Sequence, residues 1–369
     1  MAIEKLAIEQ FLKLARDHPT FDVRSPGEFS HAHIPGAFNL PLFSDDQRKI
    51  VGTAYKQQSR EAAIKIGLDF FGLKMKDMIE RVEALTRQQP KKNDQLNQQL
   101  EASPKKTVLV HCWRGGMRSA GVAWLLDLYG FRVFTLAGGY KQFRQYVLQT
   151  FEQNHRLMIL GGYTGSGKTM ILHQLAKRGA PVIDLEGLAR HKGSAFGAMD
   201  GAPQPSQEMF ENTLALELTE KTAAYGQQAV PAPIWLEDES QRIGLINLPA
   251  SFWNTMRRSQ IVFVEIPFEQ RLAHIVEEYG KMDREKISAS ISRIQKRLGG
   301  LETKTALGLL HENQLEACFR ILLNYYDKCY GKSLQERQDK ENKLLRLDCP
   351  STDAALNAKQ IMNFKMIAT

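Results

Sequence analysis

Val108-Leu109-Val110-His111-Cys112-Trp113-Arg114-Gly115-Gly116-Met117-Arg118-Ser119 begins as an apolar run, reaches a cysteine, and then sets two glycines and two arginines within six residues. Ala123, Trp124, Leu126 and Leu128 follow in a helical pattern. The stretch reads as a strand, an anion-binding loop and a helix N-terminus, with Cys112 at the centre. The thiolate is the reactive form of cysteine, and loop N–H groups, a helix dipole and guanidinium groups all favour the anion over the neutral thiol. Lone interior cysteines are common, but a buried structural cysteine at a strand end does not call for a loop rich in Gly and Arg. Cys112 is therefore a candidate nucleophile, with Arg114 and Arg118 to stabilise its charge.

A chain of 369 residues is too long for one ordinary core, so two domains are expected. With 43% hydrophobic and 24% charged residues the composition is that of a globular protein. No apolar run approaches the roughly 20 residues that span a bilayer. Met1-Ala2-Ile3-Glu4-Lys5-Leu6 leads into an amphipathic helical pattern with acidic residues and no cleavage signal, which sets the expected location as cytoplasmic. Cys112, Cys318, Cys329 and Cys349 show neither CxxC spacing nor a nearby histidine cluster, against a structural zinc site and a disulfide framework. No set of residues is read as a metal site. The net charge of +8 and a pI near 9.2 point to an acidic partner, nucleic acid first.

Upstream of the cysteine, residues 3–16 carry a helical pattern and Thr20-Phe21-Asp22-Val23-Arg24 a short strand. In Ser25-Pro26-Gly27-Glu28-Phe29-Ser30-His31-Ala32-His33-Ile34-Pro35-Gly36 the prolines and glycines punctuate turns, and Ala37 to Leu40 reads as another short strand. "DVRSPGEFSHAHIPGAFNLP", followed some seventy residues later by the Cys112 loop, resembles a rhodanese domain. That resemblance implies a small α/β fold whose cysteine carries a transferable sulfur or selenium atom, with Asp22 and Arg24 structural. Residues 74–100 read as polar helix and Gln88 to Lys106 as a solvated connection. Phe131 to Leu136 reads as a strand closed by the Ala137-Gly138-Gly139-Tyr140 turn.

Downstream, a helical stretch from Lys141 to Asn154 leads to the strand Leu157-Met158-Ile159-Leu160. It feeds into Gly162-Tyr163-Thr164-Gly165-Ser166-Gly167-Lys168-Thr169, which fits GxxxxGK[ST] between a strand and a helix with apolar Ile171, Leu172 and Leu175. Gly162, Gly165, Ser166 and Gly167 let backbone N–H groups wrap a phosphate, Lys168 neutralises it, and Thr169 is placed for Mg²⁺. Strands are also expected at Pro181–Asp184, Ile234–Leu236, Ile261–Val264 and Leu344–Leu347, with a helix from Gln207 to Ala224 capped by Ser206. The expected fold class is α/β: a rhodanese-like domain over 1–150, then a P-loop parallel-sheet domain over 151–369 with a helical, basic C-terminal part. Glu237 and Asp238, just past a strand end, are candidates for the acidic partner of the phosphate site, and Glu265 occupies a comparable position. Arg190, His191 and Lys192 in "DLEGLARHKGSAFG" suit an anion close to the backbone.

The rhodanese signature, "GTAYKQQ", the P-loop, "DLEGLARHKGSAFG" and "LEDES" together resemble the tRNA 2-selenouridine synthases over nearly the whole chain. The resemblance implies exchange of the sulfur of a wobble 2-thiouridine in tRNA for selenium from selenophosphate, by way of S-geranylation with geranyl diphosphate. It implies that Cys112 carries or delivers selenium, that Lys168, Thr169, Arg190 and the loop amides hold the geranyl diphosphate, and that a selenophosphate-producing enzyme is a partner. Leu188, Phe196 and Met199 are the residues expected to line a trough for the prenyl tail. Whether Mg²⁺ or ATP is bound stays open at this point. So do two other readings: a cysteine phosphatase joined to a P-loop kinase, since His111-Cys112-x5-Arg118-Ser119 also fits HCx5R, and a non-catalytic RNA-binding adaptor. Residues 281–346 hold fourteen Lys/Arg against nine Asp/Glu. Arg293, Lys296, Arg297 and Lys304 are either a solvated helix face or a surface tracking the RNA backbone.

Overall fold

The structure, a computed structural model, describes residues 3–88, 106–192, 203–225, 232–338 and 344–364. It divides into two compact units, Met1–Gln149 and Thr150–Thr369. In the first, β1 (Glu4–Leu6) precedes α1 (Ile8–Ala15), where helix alone was expected. The sheet wins the first residues because Glu4, Lys5 and Leu6 pair with Phe134, Thr135 and Leu136, leaving α1 to bury Ile8 and Phe11. After β2 (Thr20–Asp22) the Pro/Gly stretch read as turns forms α2 (Pro26–His31). Proline is suited to the first helical position, whose N–H has no helical acceptor, and the Glu28 carboxylate accepts the Ser25 N–H at 3.1 Å.

β3 (Phe38–Asn39), α3 (Asp45–Gln57), α4 (Arg60–Gly72) and α5 (Met75–Gln88) follow. Residues 89–105, most of the expected solvated connection, lie outside the described residues. β4 (Thr107–His111), α6 (Met117–Tyr129), β5 (Arg132–Leu136) and α7 (Gly139–Thr150) complete the unit. The sheet order is β1-β5-β4-β2-β3, every pair parallel. β4 is central, and Val108, Val110 and Cys112 share a core with Phe21, Val122 and Leu126. Strand C-termini in a parallel sheet gather at one edge, where ligands bind, and Cys112 is the first residue past β4. Beneath that edge Arg24 and Asp22 form a buried pair, bonded at 2.6 Å. Burial opposes ionisation of Asp22, but the adjacent His111 and Arg24 hold its carboxyl below the usual value.

In the second unit β6 (Leu157–Gly162) is wholly buried, and α8 (Lys168–Lys177) buries Ile171, Leu172 and Leu175 as their spacing predicts. No strand forms at Pro181–Asp184, where a single bridge joins Val182 to Trp235. Pro181 has no N–H to give a ladder, and Asp184 ends the segment by accepting the Gly187 N–H at 2.7 Å to cap α9 (Leu185–Ala189). α10 (Gln207–Tyr225), β7 (Ile234–Glu237), the hairpin β8 (Arg242–Ile243) and β9 (Ile246–Asn247), α11 (Ala250–Arg258) and β10 (Gln260–Glu265) come next. Ser206 caps α10, accepting the Met209 N–H at 3.1 Å.

α12 (Phe268–Tyr279), α13 (Arg284–Arg293), α14 (Gln295–Leu298), α15 (Gly300–His311) and α16 (Leu315–Gln338) form the expected helical part around a core of Leu272, Ile287, Ile291, Phe319 and Leu323. β11 (Leu344–Asp348) returns to a parallel sheet of order β11-β10-β6-β7, and α17 (Ala354–Asn363) packs on α8. Arg271 ties the helical part to the P-loop. Its buried guanidinium grips Asp327 of α16 with bonds of 2.9 and 2.7 Å and donates to the Thr164 carbonyl at 3.1 Å.

Candidate active sites

The Cys112 loop is clasped by the turn after β5. Tyr140 N–H donates to the Cys112 carbonyl at 2.8 Å and Lys141 N–H to that of Trp113 at 2.9 Å. Gly115 and Gly139 have φ of +63° and +61°. A Cβ on Gly115 would stand 2.5 Å from the Leu136 carbonyl oxygen, and one on Gly139 would run into the Cys112 carbonyl and the Gly115 nitrogen. Only glycine fits this approach. The Cys112 side chain is buried, and its Sγ lies 3.2 Å from the Ser119 hydroxyl in the first turn of α6.

The two arginines are not equivalent. Arg118 donates to Glu28 Oε2 at 3.0 Å, and Arg48 approaches the same oxygen at 2.9 Å, whereas Arg114 is exposed on the loop. Burial alone would raise the Glu28 carboxyl, yet Arg118, Ser25 and Arg48 hold it below its usual value, so it stays charged. His111 is wholly buried, and burial pushes its imidazole down, so it is neutral at physiological pH.

In the second unit the P-loop turns through Gly165 and Gly167, at φ of +82° and +67°. Lys168 Nζ donates to the Gly162 carbonyl at 3.0 Å and Ser166 Oγ to that of Tyr163 at 2.5 Å, folding the loop on itself. A cavity of about 750 Å³ opens over it. Lys168, Thr169, Glu186, Glu237 and Glu239 supply polar lining, while α12 and α16 supply Ile275, Tyr279, Phe319, Leu322, Leu323 and Tyr326. One carboxylate oxygen from each of the three glutamates lies within 4.8 Å of the others. Thr169 Oγ1 donates to Glu186 at 3.4 Å, and Glu237 Oε1 is buried without a hydrogen-bond partner among the described residues.

Three carboxyls so close cannot all stay ionised. Burial and the Glu239 charge push Glu186 up to about 8, against the pull of Lys168. Burial and Glu186 likewise push Glu237 up to about 8, and burial and Glu237 raise Glu239 to about 7. Clustered carboxylate oxygens beside a threonine hydroxyl suit a hard divalent cation such as Mg²⁺, which would supply the missing positive charge and an acceptor for phosphate oxygens. Glu186, Glu237 and Glu239 are the residues that would hold it, with Thr169 beside them.

Of the residues singled out in the sequence, Lys168, Thr169, Gly165 and Gly167 line this cavity, as do Glu237 and Asp238. Asp238 accepts a short hydrogen bond from Tyr330. Glu265 is bound by Arg346 and is not part of the cavity lining. Among the described residues Arg190 and Leu188 are also absent from the lining. Arg190 is the exposed left-handed residue closing α9, at φ 50°, and its neighbour Lys192 reaches the cavity while paired to Glu278. Phe196 and Met199 lie outside the described residues. Sequence reasoning missed Glu186, Glu239 and the apolar residues of α12 and α16; Glu186 stood in a quoted stretch that was read for its cations.

A parallel α/β unit with a cysteine loop at its strand ends, followed by a P-loop unit with a carboxylate-rich cavity, defines a two-domain rhodanese and P-loop protein. Residues 7–146 match the family profile of the rhodanese-like domain, and residues 155–348 that of the tRNA 2-selenouridine synthase AAA domain. Relatives named tRNA 2-selenouridine synthase include one from Nitrosomonas europaea, 39% identical over 71% of this chain and 64% of its own length. Others are from Nitrosomonas eutropha, 33% identical over 87% and 90%, and Bdellovibrio bacteriovorus, 34% identical over 91% and 94%. The chain belongs to the tRNA 2-selenouridine synthase family.

Proposed function

We propose that this chain is an enzyme that exchanges the sulfur of a wobble 2-thiouridine in tRNA for selenium from selenophosphate, through an S-geranylated intermediate. Action on tRNA rests on family membership. The observation that carries the finer reading is the P-loop cavity, where a phosphate cradle adjoins an apolar wall. Lys168 and the loop amides bind the diphosphate of geranyl diphosphate, and Phe319, Leu322 and Leu323 take the place of the trough first sought at Leu188. The thiouridine sulfur bonds to the prenyl carbon as its C–O bond to diphosphate breaks. An S-alkylated base has a more electrophilic C2 and a better leaving group, which prepares it for selenium handled at the Cys112 loop. Mass spectrometry of wobble nucleosides from cells with and without the gene, grown with selenium, is the test. Loss of both selenouridine and geranylated thiouridine is expected. Unchanged nucleosides overturn the proposal and favour the phosphatase reading.

Mg²⁺ at the three glutamates has a pH signature. Their folded values stand above the ordinary 4.5, so from there to about 8 the unfolded chain ionises while the fold keeps its protons. Stability contributed by these groups therefore falls as pH rises through that window. A bound cation displaces the protons, so its stabilisation grows with pH. The rise in Tm on adding Mg²⁺ is expected to be larger at about pH 8.5 than at about pH 6, as scanning calorimetry would show. An equal rise at both leaves the carboxyls out of metal binding.

Arg293, Lys296, Arg297 and Lys304 are all exposed on α13 to α15. As phosphate contacts, each replaced by Ala weakens binding of different tRNAs about equally and flattens the salt dependence by roughly one contact. Affinities over a salt series provide the measurement. Four unaltered slopes move the RNA surface elsewhere.

A further inference from the structure

We infer that Ser119 is a catalytic residue of the Cys112 loop, whose hydroxyl turns from a backbone carbonyl to the sulfur when the thiol loses its proton. The inference rests on reading Cys112 as a reacting group. Ser119 Oγ lies 3.2 Å from Cys112 Sγ and 3.0 Å from the carbonyl oxygen of Gly116, and both side chains are buried. A hydroxyl has one proton to give and lone pairs to accept with. While Cys112 is a thiol, S–H donates to Ser119 and Ser119 donates to Gly116. Once the sulfur is an anion it can only accept, so the serine proton must swing to it.

That rotation costs little here. The Gly116 carbonyl also accepts the Ala120 N–H at 3.1 Å, so it keeps a partner when the hydroxyl leaves. Arg118, expected from the sequence to serve the sulfur, is bonded through Nη1 to Glu28. Among the contacts described for the loop, Ser119 is the side chain that reaches Sγ. The same bond would stabilise the sulfur again whenever it leaves as an anion.

The charged and titratable groups around the loop are His111 of β4 with the Asp22–Arg24 pair beside it, Glu28 of α2, Arg48 of α3, Arg60 of α4, Tyr140 and Lys141 of α7, and Arg114 and Arg118. Burial keeps His111 neutral and its partners keep Glu28 charged; arginine does not deprotonate in proteins. His111, Glu28 and the arginines keep their state between neutral and alkaline pH, and Tyr140 and Lys141 are common to both proteins, so the variant-to-wild-type ratio at each pH isolates the Cys112–Ser119 pair.

The test is alkylation of the full chain by iodoacetamide, in which Sγ displaces iodide, followed by mass spectrometry of the Cys112 peptide. A hydrogen bond to an anion is worth roughly a ten-fold change in the thiolate fraction. A more basic thiolate is in turn about three-fold more nucleophilic. Ser119→Ala is therefore expected to alkylate about three-fold more slowly than the wild type at about pH 7 and about three-fold faster on the alkaline plateau of the two rate profiles. Ser119→Thr restores the wild-type rates. Equal rates, or the same slowing at both pH values, overturn the role of Ser119, since a structural defect gives no crossover. Wild-type Cys112 resisting alkylation throughout overturns the nucleophile reading beneath it.

Discussion

Cys112→Ala is expected to abolish selenation of tRNA while leaving geranyl transfer in place. Alanine removes one sulfur from a buried site whose loop is held by backbone bonds from Tyr140 and Lys141, none of which involves the side chain. The clasp of Gly115 and Gly139 is equally indifferent to it. The fold should persist, so the loss reads on chemistry. Removing a reacting sulfur leaves no substitute nucleophile, and selenation should fall by at least about 10³-fold. On the proposed reading geranyl transfer depends on Lys168, Thr169 and the cavity of the second unit, whose lining among the described residues includes no part of the Cys112 loop. The measurement is single-turnover formation of geranylated and selenated nucleosides on one tRNA. A folded Cys112→Ala protein that has lost geranyl transfer would falsify this division of labour.

What the sequence made legible is what the chain makes locally. The Cys112 loop and the P-loop are each a strand, a glycine-rich turn and a helix joined without a gap, so residue order fixes which groups face the anion. Both appear where the sequence put them. The parts that were not legible come from distant segments. Glu186 rides on α9, Glu237 ends β7 and Glu239 follows it, and the apolar wall belongs to α12 and α16; the tertiary fold, with its sheet order β11-β10-β6-β7 and the Arg271 grip on Asp327 and Thr164, brings them to one cavity. Nothing in the spacing of Phe319, Leu322 and Leu323 distinguishes a ligand wall from ordinary helix core.

The same distinction explains why the Glu28 partner of Arg118 was not legible. Two arginines beside a cysteine read as its counter-charges, but Glu28 comes from a helix ninety residues away and claims one of them. That helix was itself masked by Pro26 and Gly27, which mark a helix start as readily as a turn. Ser119 lay inside the quoted stretch. Its importance depends on the first turn of α6 aiming its hydroxyl back at Sγ, a direction that sequence alone leaves free.

Lys168→Ala is expected to lower geranyl transfer by about 10² to 10³-fold, with selenation of unmodified thiouridine falling alongside it. In the proposed reaction diphosphate gathers charge as its bond to the prenyl carbon breaks, and Lys168 is the ammonium of the loop proposed to neutralise it. There is a second cost. Lys168 pulls Glu186, Glu237 and Glu239 toward the ionised form against burial and mutual repulsion. Without it all three carboxyls rise further, hold their protons to higher pH and bind Mg²⁺ less well at neutrality. Raising the pH should thus recover part of the metal affinity, though not the lost ammonium. Selenation of a tRNA already geranylated bypasses the defect and should proceed at the wild-type rate. If the variant is folded and that bypass fails, the P-loop serves the selenium step as well; if geranyl transfer is unaffected, the diphosphate binds elsewhere.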